Sequence, residues 1–210
     1  MLRRTLSYGL VSCSTITQER SDSDNLVIAW SGGLSIEDFI EVSKRGRANG
    51  DFIMHRENGT LVDLNPATNR AIGKMKATIT QRFTIQGIEV DVECDSQFIF
   101  FAFKAPTSTS GGKAVWKTQY VKLFYEKDKM IPVDGVTVPK IEKSELQQYP
   151  MGYQWLSVAQ ASLGHKILQG LPTLNNQGFK DLNKAMVDWL EGKDVTEPLG
   201  VPKDYKPKFT

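Results

Sequence analysis

One imidazole, a run of carboxylates and a phenol are the side chains here whose types and spacing suggest chemistry. His55 sits between Met54 and Arg56 in a stretch that alternates like a strand, so Phe52 and Met54 point away from its face. An imidazole with a reference pKa of about 6.5 can accept and return a proton at neutral pH, as elimination or isomerisation next to a carbonyl requires. The same residue also suits a structural histidine bonded to backbone. Glu89, Asp91, Glu93 and Asp95 share one strand face, which a hairpin sets against Lys76, Thr78, Thr80 and Arg82. Facing opposite charges form a stabilising ladder; alternatively one carboxylate, Asp91 in this assignment, turns toward His55 and raises its basicity. The Tyr120 phenol suits a hydrogen bond to a carbonyl or enolate oxygen. Trp30, Phe39, Phe100, Trp116 and Phe124 are the aromatic residues expected around an apolar cavity, although aromatic side chains in strands more often fill a core. His165, after Gly164, is expected to be structural.

Much other chemistry is excluded. Two cysteines, Cys13 and Cys94, and two histidines make no CxxC, HExxH or Cys/His cluster, so no metal site is expected. Neither a phosphate-binding glycine loop nor a G-x-S-x-G elbow is present, so no nucleotide cofactor is expected. Lys plus Arg number 26 against 24 Asp plus Glu, a formal charge of +2, which gives no footprint for nucleic acid. Apolar runs such as Phe98 to Phe103 fall far short of the roughly 20 residues of a membrane span. Two cysteines far apart suit a reducing compartment, so a cytoplasmic location is expected. The alternative is mitochondrial: Met1 to Gln18 carries Arg3, Arg4 and many hydroxyls, with no acid before Glu19.

The elements that must position these groups follow from periodicity. Residues 1–24 are expected to be poorly ordered. Ser35 with Asp38 makes a capping pattern, and Leu34 with Phe39 a hydrophobic staple, predicting a helix over 36–47 that ends in Lys44, Arg45 and Arg47. From 51 to 135 the spacing becomes alternation. Strands are predicted over Asp51–Leu64, Ala71–Ile85, Ile88–Lys104 and Trp116–Tyr125, with Pro66 and Asn69 in one turn and Gln86-Gly87 in another. Ser108 to Gly112 is expected to be a flexible loop. Ser144 is expected to cap a short helix stopped by Pro150, and a second helix to run from 152 to 162. Phe179, Leu182, Met186 and Trp189 form the apolar stripe of a third helix over 176–191, with Gly192 after its end. Three prolines and no periodicity predict an extended tail from 195 to 210.

A helix followed by a long antiparallel meander with a histidine in its first strand resembles the SnoaL-like branch of the NTF2-like superfamily. The residues that carry the resemblance are Trp30-Ser-Gly-Gly-Leu-Ser-Ile-Glu-Asp-Phe39, Phe52-Ile-Met-His55 and Arg70-Ala-Ile-Gly-Lys-Met-Lys-Ala-Thr78. The second segment is similar to the histidine strand of scytalone dehydratase and related fungal polyketide-pathway proteins. The resemblance implies an α+β fold, an NTF2-like cone over residues 25–135 with its curved sheet packed on helices; the helical extension over 136–193 and the tail over 194–210 are additions to that basic fold. It further implies a small apolar carbonyl or polyketide-type ligand in the cone and a homodimer through the sheet. The function expected is cofactor-independent acid–base catalysis by a dehydratase, cyclase or isomerase, with His55, Tyr120 and Asp91 catalytic. The alternative is a non-catalytic module that binds a small ligand or a partner. Two departures weigh on the choice. The two N-terminal helices of the family have no counterpart expected in residues 1–25, and its second histidine is replaced by Thr78-Ile-Thr-Gln-Arg82.

Overall fold

The computed structural model describes residues 25–27, 36–105 and 115–201. The chain is α+β, with a curved, largely antiparallel sheet and a few helices. In order it forms β1 (Asn25–Val27), α1 (Ile36–Ala48), β2 (Ile53–Asn65), β3 (Arg70–Ile85), β4 (Ile88–Ala105) and β5 (Val115–Pro132), then α2 (Lys143–Leu146), α3 (Gln154–Ser162) and α4 (Gln177–Leu190). The sheet order is β1-β5-β4-β3-β2. The short β1, which alternation does not predict, pairs parallel to β5 with Asn25 opposite Tyr120. Among the described residues, no helix is long and apolar enough to cross a membrane.

Local chemistry explains most of these boundaries. Gln86 and Gly87 both take positive φ, 52° and 78°, as the two-residue hairpin between β3 and β4 requires. Asn176 caps α4 by accepting a hydrogen bond from the Phe179 N–H at 2.8 Å, and Gly192 beyond its end has φ 87°. Glu142, not Ser144, precedes α2, and its side chain makes no capping bond. The capping pattern of α1 falls partly on Leu34 and Ser35, and the Ser108–Gly112 loop falls wholly outside the described residues, as do residues 1–24.

Strand β5 runs seven residues beyond its expected end, to Pro132. Its continuation, Glu126-Lys-Asp-Lys129, has no apolar alternation to betray it; β4 holds it in register from Asp95 opposite Lys127 to Val90 opposite Pro132. Bulges interrupt the ladders at Glu57/Gly59 in β2 and at Asp95/Ser96 and Phe101/Ala102 between β4 and β5. Such bulges bend a strand and strengthen its twist.

The sheet buries different ends of its two faces. Val90, Val92 and Cys94 of β4 join Phe83, Leu123 and Tyr125 in a core capped by Tyr153, Leu156 and Ala159 at α3. Further along β4 the parity switches, and Ile99 and Phe101 face the opposite side, under Leu182, Ala185 and Trp189 of α4. The Trp189 indole N–H donates to the carbonyls of Ala71 and Ala102, pinning α4 to the sheet. Gln160 of α3 donates to the Gln81 carboxamide of β3 at 2.9 Å in the other core. Gly152 ahead of α3 is required by close approach, because a Cβ there would lie 2.5 Å from the Tyr125 carbonyl.

The segment after 193 departs from the extended tail expected of it. Residues 195–201 fold into a hydrogen-bonded turn, and Val195, Leu199 and Val201 are buried in the α4 core. Apolar side chains spaced for one turn pack there despite Pro198, which a search for long periodicity passes over.

Candidate functional site

Strand pairing lays His55, Ile79, Cys94 and Asp128 in one row across β2, β3, β4 and β5, all projecting from the face that α3 covers at one end. Paired residues share a face, and the neighbouring rows continue it. Met75, Phe98 and Leu123 form one further row, and Gly73, Phe100 and Val121 the next. Beyond the reach of α3 this face is apolar and only partly covered: Met75, Phe98, Phe100 and Val121 are half-buried, and Trp116 is 41% exposed.

His55 stands at the border between the covered and open halves. Its ring packs edge-on to Phe98, with centroids 5.7 Å apart, and Phe98 in turn stacks on Phe100 at 6.4 Å. Burial against these apolar neighbours lowers the imidazole pKa. The ring is therefore neutral at neutral pH, with one nitrogen free to donate and the other to accept.

The expected partners of His55 lie elsewhere. Asp91 projects from the opposite face, where Arg82 holds it with two hydrogen bonds of 2.7 and 3.0 Å and keeps its pKa low. Odd-numbered positions of this half of β4 cannot reach the even-numbered face without a bulge between them, so Asp91 and His55 do not pair. Glu93 meets Arg56 and Lys129, and Asp95 accepts from Thr78, completing a charge ladder on that side. Tyr120 belongs to the α4 core: it is 3% exposed, packs edge-on to Phe101 and Trp189, and accepts a hydrogen bond from Gln119. Phe124 lies in the same core against Phe179, with centroids 5.0 Å apart. Of the residues expected around one cavity, the sheet places Phe100, reached from His55 through Phe98, and the more distant Trp116 on the face of His55, and sets Tyr120, Phe124 and Asp91 on the other. Phe39 is half-buried on α1, and Trp30 lies outside the described residues.

The row also contains a carboxylate that strand prediction passed over. Asp128 accepts the Leu156 N–H at 2.8 Å, and so serves the first turn of α3, where Tyr153 makes no capping bond. Burial pushes its pKa up to about 6 against the pull of these backbone hydrogen bonds. The signal was present in the sequence as Lys127-Asp-Lys129 but became legible only once β5 was known to extend that far. Cys94, between His55 and Asp128, is a buried thiol whose pKa burial raises to about 12, so it is inert as a nucleophile. A separate depression of about 200 Å³ is lined by Asn58, Lys76, Asp95 and Glu126; its Lys76–Glu126 pair at 3.6 Å gives it a polar character unlike that of the His55 face.

No family model matches the chain. Among curated proteins it is 43% identical over 174 residues to an uncharacterized protein of Emericella nidulans, spanning 79% of this chain and 72% of that one. It is 40% identical over 174 residues, with the same coverage, to pea pathogenicity protein 2 of Fusarium vanettenii. An uncharacterized protein of Aspergillus terreus is 42% identical over 162 residues, covering 73% of this chain and 60% of its own length.

Proposed function

The chain belongs to the family of pea pathogenicity protein 2, and from that premise we propose that it is a binding module for a small apolar ligand bearing a carbonyl oxygen. The observation that carries this reading is the half-face of Met75, Phe98, Phe100 and Val121, left partly open beside a neutral His55. Rings and methyl groups on that surface supply the apolar contact, at roughly 25 cal/mol per Å² removed from water. The imidazole N–H supplies one directional hydrogen bond to the ligand oxygen. The curved sheet and the histidine-bearing strand support placing the fold in the SnoaL-like branch of the NTF2-like superfamily, with this face as the inside of the cone. The free, buried Cys94 thiol supports a reducing, cytoplasmic setting.

The test uses 1-tetralone, a compact bicyclic ketone, titrated into the full chain and followed by calorimetry. The wild type is expected to bind saturably, and Phe100→Asp to abolish binding. His55→Phe, which keeps the ring packing but removes the donor, is expected to weaken binding about 2–10-fold, the value of one neutral hydrogen bond. Equal affinity of the wild type and Phe100→Asp would remove this face from the function.

One observation favours a second reading, cofactor-independent acid–base catalysis. The lowered pKa of His55 keeps the imidazole as free base where an apolar carbonyl compound would lie. Separation from Tyr120 and Asp91 leaves it without the oxygen-orienting partners expected of them, which is why binding is preferred. Deuterium exchange at the carbon next to the carbonyl of 1-tetralone, followed by NMR in D₂O, distinguishes the two. Catalysis predicts exchange that falls about 10²–10⁴-fold in His55→Ala.

A further inference from the structure

Helix α1 links the two edges of the sheet. β1 and β2 are its outermost strands. α1 touches β1. Its last turn is tied to the start of β2, where Asp51 donates its N–H to the Gly46 carbonyl and the Phe52 carbonyl accepts from Arg82 of β3. Thirteen helical residues span about 20 Å, and four strand spacings come to about 19 Å. The helix therefore crosses the whole sheet, and one face is free for the crossing. On the other face, α4 and residues 195–201 cover the far half. The near half is the charge ladder, where Lys76, Lys127 and Lys129 have side chains 64%, 77% and 64% exposed, as they could not be under a helix. α1 thus crosses the His55 face, over the rows that α3 leaves uncovered.

Its underside agrees. Between Asp38 and Ala48 the half-buried positions are Phe39, Ile40, Ser43 and Gly46, one stripe along the helix, and the rest are exposed. That stripe is not fastened to the sheet as the other helices are. Asp128 and Gln81 hold α3; the Trp189 indole holds α4, as do Asn65 and Thr68 on the Leu190 carbonyl. Among the described residues, Phe39 to Ala48 make no side-chain bond to the sheet, and no α1 side chain belongs to either core. The Lys44–Glu41 pair at 2.7 Å lies within the helix. Gly50, at φ 90° with open space where a Cβ would stand, supplies a hinge between α1 and β2. Segments with so few buried contacts open most readily.

We infer that α1 is a lid on the apolar half of the His55 face, hinged at Gly50, which swings aside to admit the small apolar ligand and closes over it. This deepens the binding reading and rests on it for what enters; whether α1 covers and uncovers the surface is tested without ligand. Phe39 and Ile40, in the half of α1 nearer β1, close over Phe100 and Val121, and the small Ser43 and Gly46 pass above His55.

Thiol labelling of the full chain in a Cys13→Ser background tests the lid, because Cys94 is buried. Val121→Cys puts a thiol under α1, and Leu174→Cys, at a position 65% exposed, gives the unprotected rate. With Ellman's reagent, Val121→Cys is expected to react about tenfold or more slowly than Leu174→Cys, yet to completion while the circular dichroism stays native. Phe39→Ala, and separately Ile40→Ser, should each speed that reaction about 3–10-fold. Val42→Ala, on the exposed side, should not, and saturating 1-tetralone should slow it. Equal rates at Val121→Cys and Leu174→Cys, protection that lasts until urea unfolds the sheet, or indifference to both α1 variants would each overturn the lid. If 1-tetralone neither binds nor protects while the α1 variants behave as expected, the lid stands and the ligand reading falls.

Discussion

Replacing Asp128 by Asn tests whether the carboxylate that serves α3 stabilises the fold or strains it. The side chain accepts the Leu156 N–H at the start of the helix covering half of the His55 face. A charge there favours the helix dipole, yet burial opposes the charge and wins, since the pKa rises from 3.8 to about 6. Below about pH 4 the carboxyl is neutral in both folded and unfolded chains and contributes no pH dependence. Between about 4 and 6 the unfolded chain has released the proton while the folded one retains it, so stability falls as pH rises, by up to about 1.4 kcal/mol per unit. Above about 6 the loss is complete, at about 3 kcal/mol for the full shift and less where solvent screens the group. Asn keeps an oxygen for the Leu156 N–H and never ionises. Urea unfolding followed by circular dichroism should therefore show Asp128→Asn gaining on the wild type by about 1–2 kcal/mol between about pH 4.5 and pH 8. A variant that is less stable than the wild type by the same amount at both pH values would refute the reasoning, because the charge would then be a net clamp on α3.

Other outcomes follow from the same geometry. Trp189→Phe keeps an aromatic ring between Phe101 and Tyr120 but leaves the Ala71 and Ala102 carbonyls without their indole donor; thermal unfolding should register a loss of about 1–3 kcal/mol. Asp91→Asn breaks an exposed ladder on the face away from His55, so calorimetry should give an unchanged affinity for 1-tetralone and scanning a nearly unchanged midpoint. In Cys13→Ser protein, Cys94 should resist Ellman's reagent in the native state and react fully once denaturant is added, because its thiol is buried and its pKa is raised to about 12.

Local structure was legible wherever one physical signal acted over a few residues. Alternation marked β2, β3 and β4 to within two residues, Gln86-Gly87 marked the hairpin, and the Phe179–Trp189 stripe with Gly192 marked α4. Misses arose where a neighbour supplied the order. β4 holds the charged end of β5 in its ladder, and the α4 core holds Val195 to Val201, although neither segment carries a periodic signal of its own.

The candidate site shows the same division. Residue order alone determined that His55 would stand on a strand and that the carboxylates of β4 would meet the basic and hydroxyl side chains of β3 across a hairpin, because pairing next to a tight turn is set within the turn; whether Asp91 turned to His55 instead stayed open. Which aromatic side chains share a surface with that imidazole was decided only by the assembled sheet. Each bulge shifts the alternation by one position, so a strand read alone cannot say which of its sides Tyr120 or Phe100 occupies relative to His55. Helix docking then completes the choice: α3 closes one half of one face and α4 the far half of the other, leaving the Phe98–Phe100 surface open. Side-chain alternation is a local property of a strand, whereas the side on which a helix settles depends on contacts between segments many residues apart.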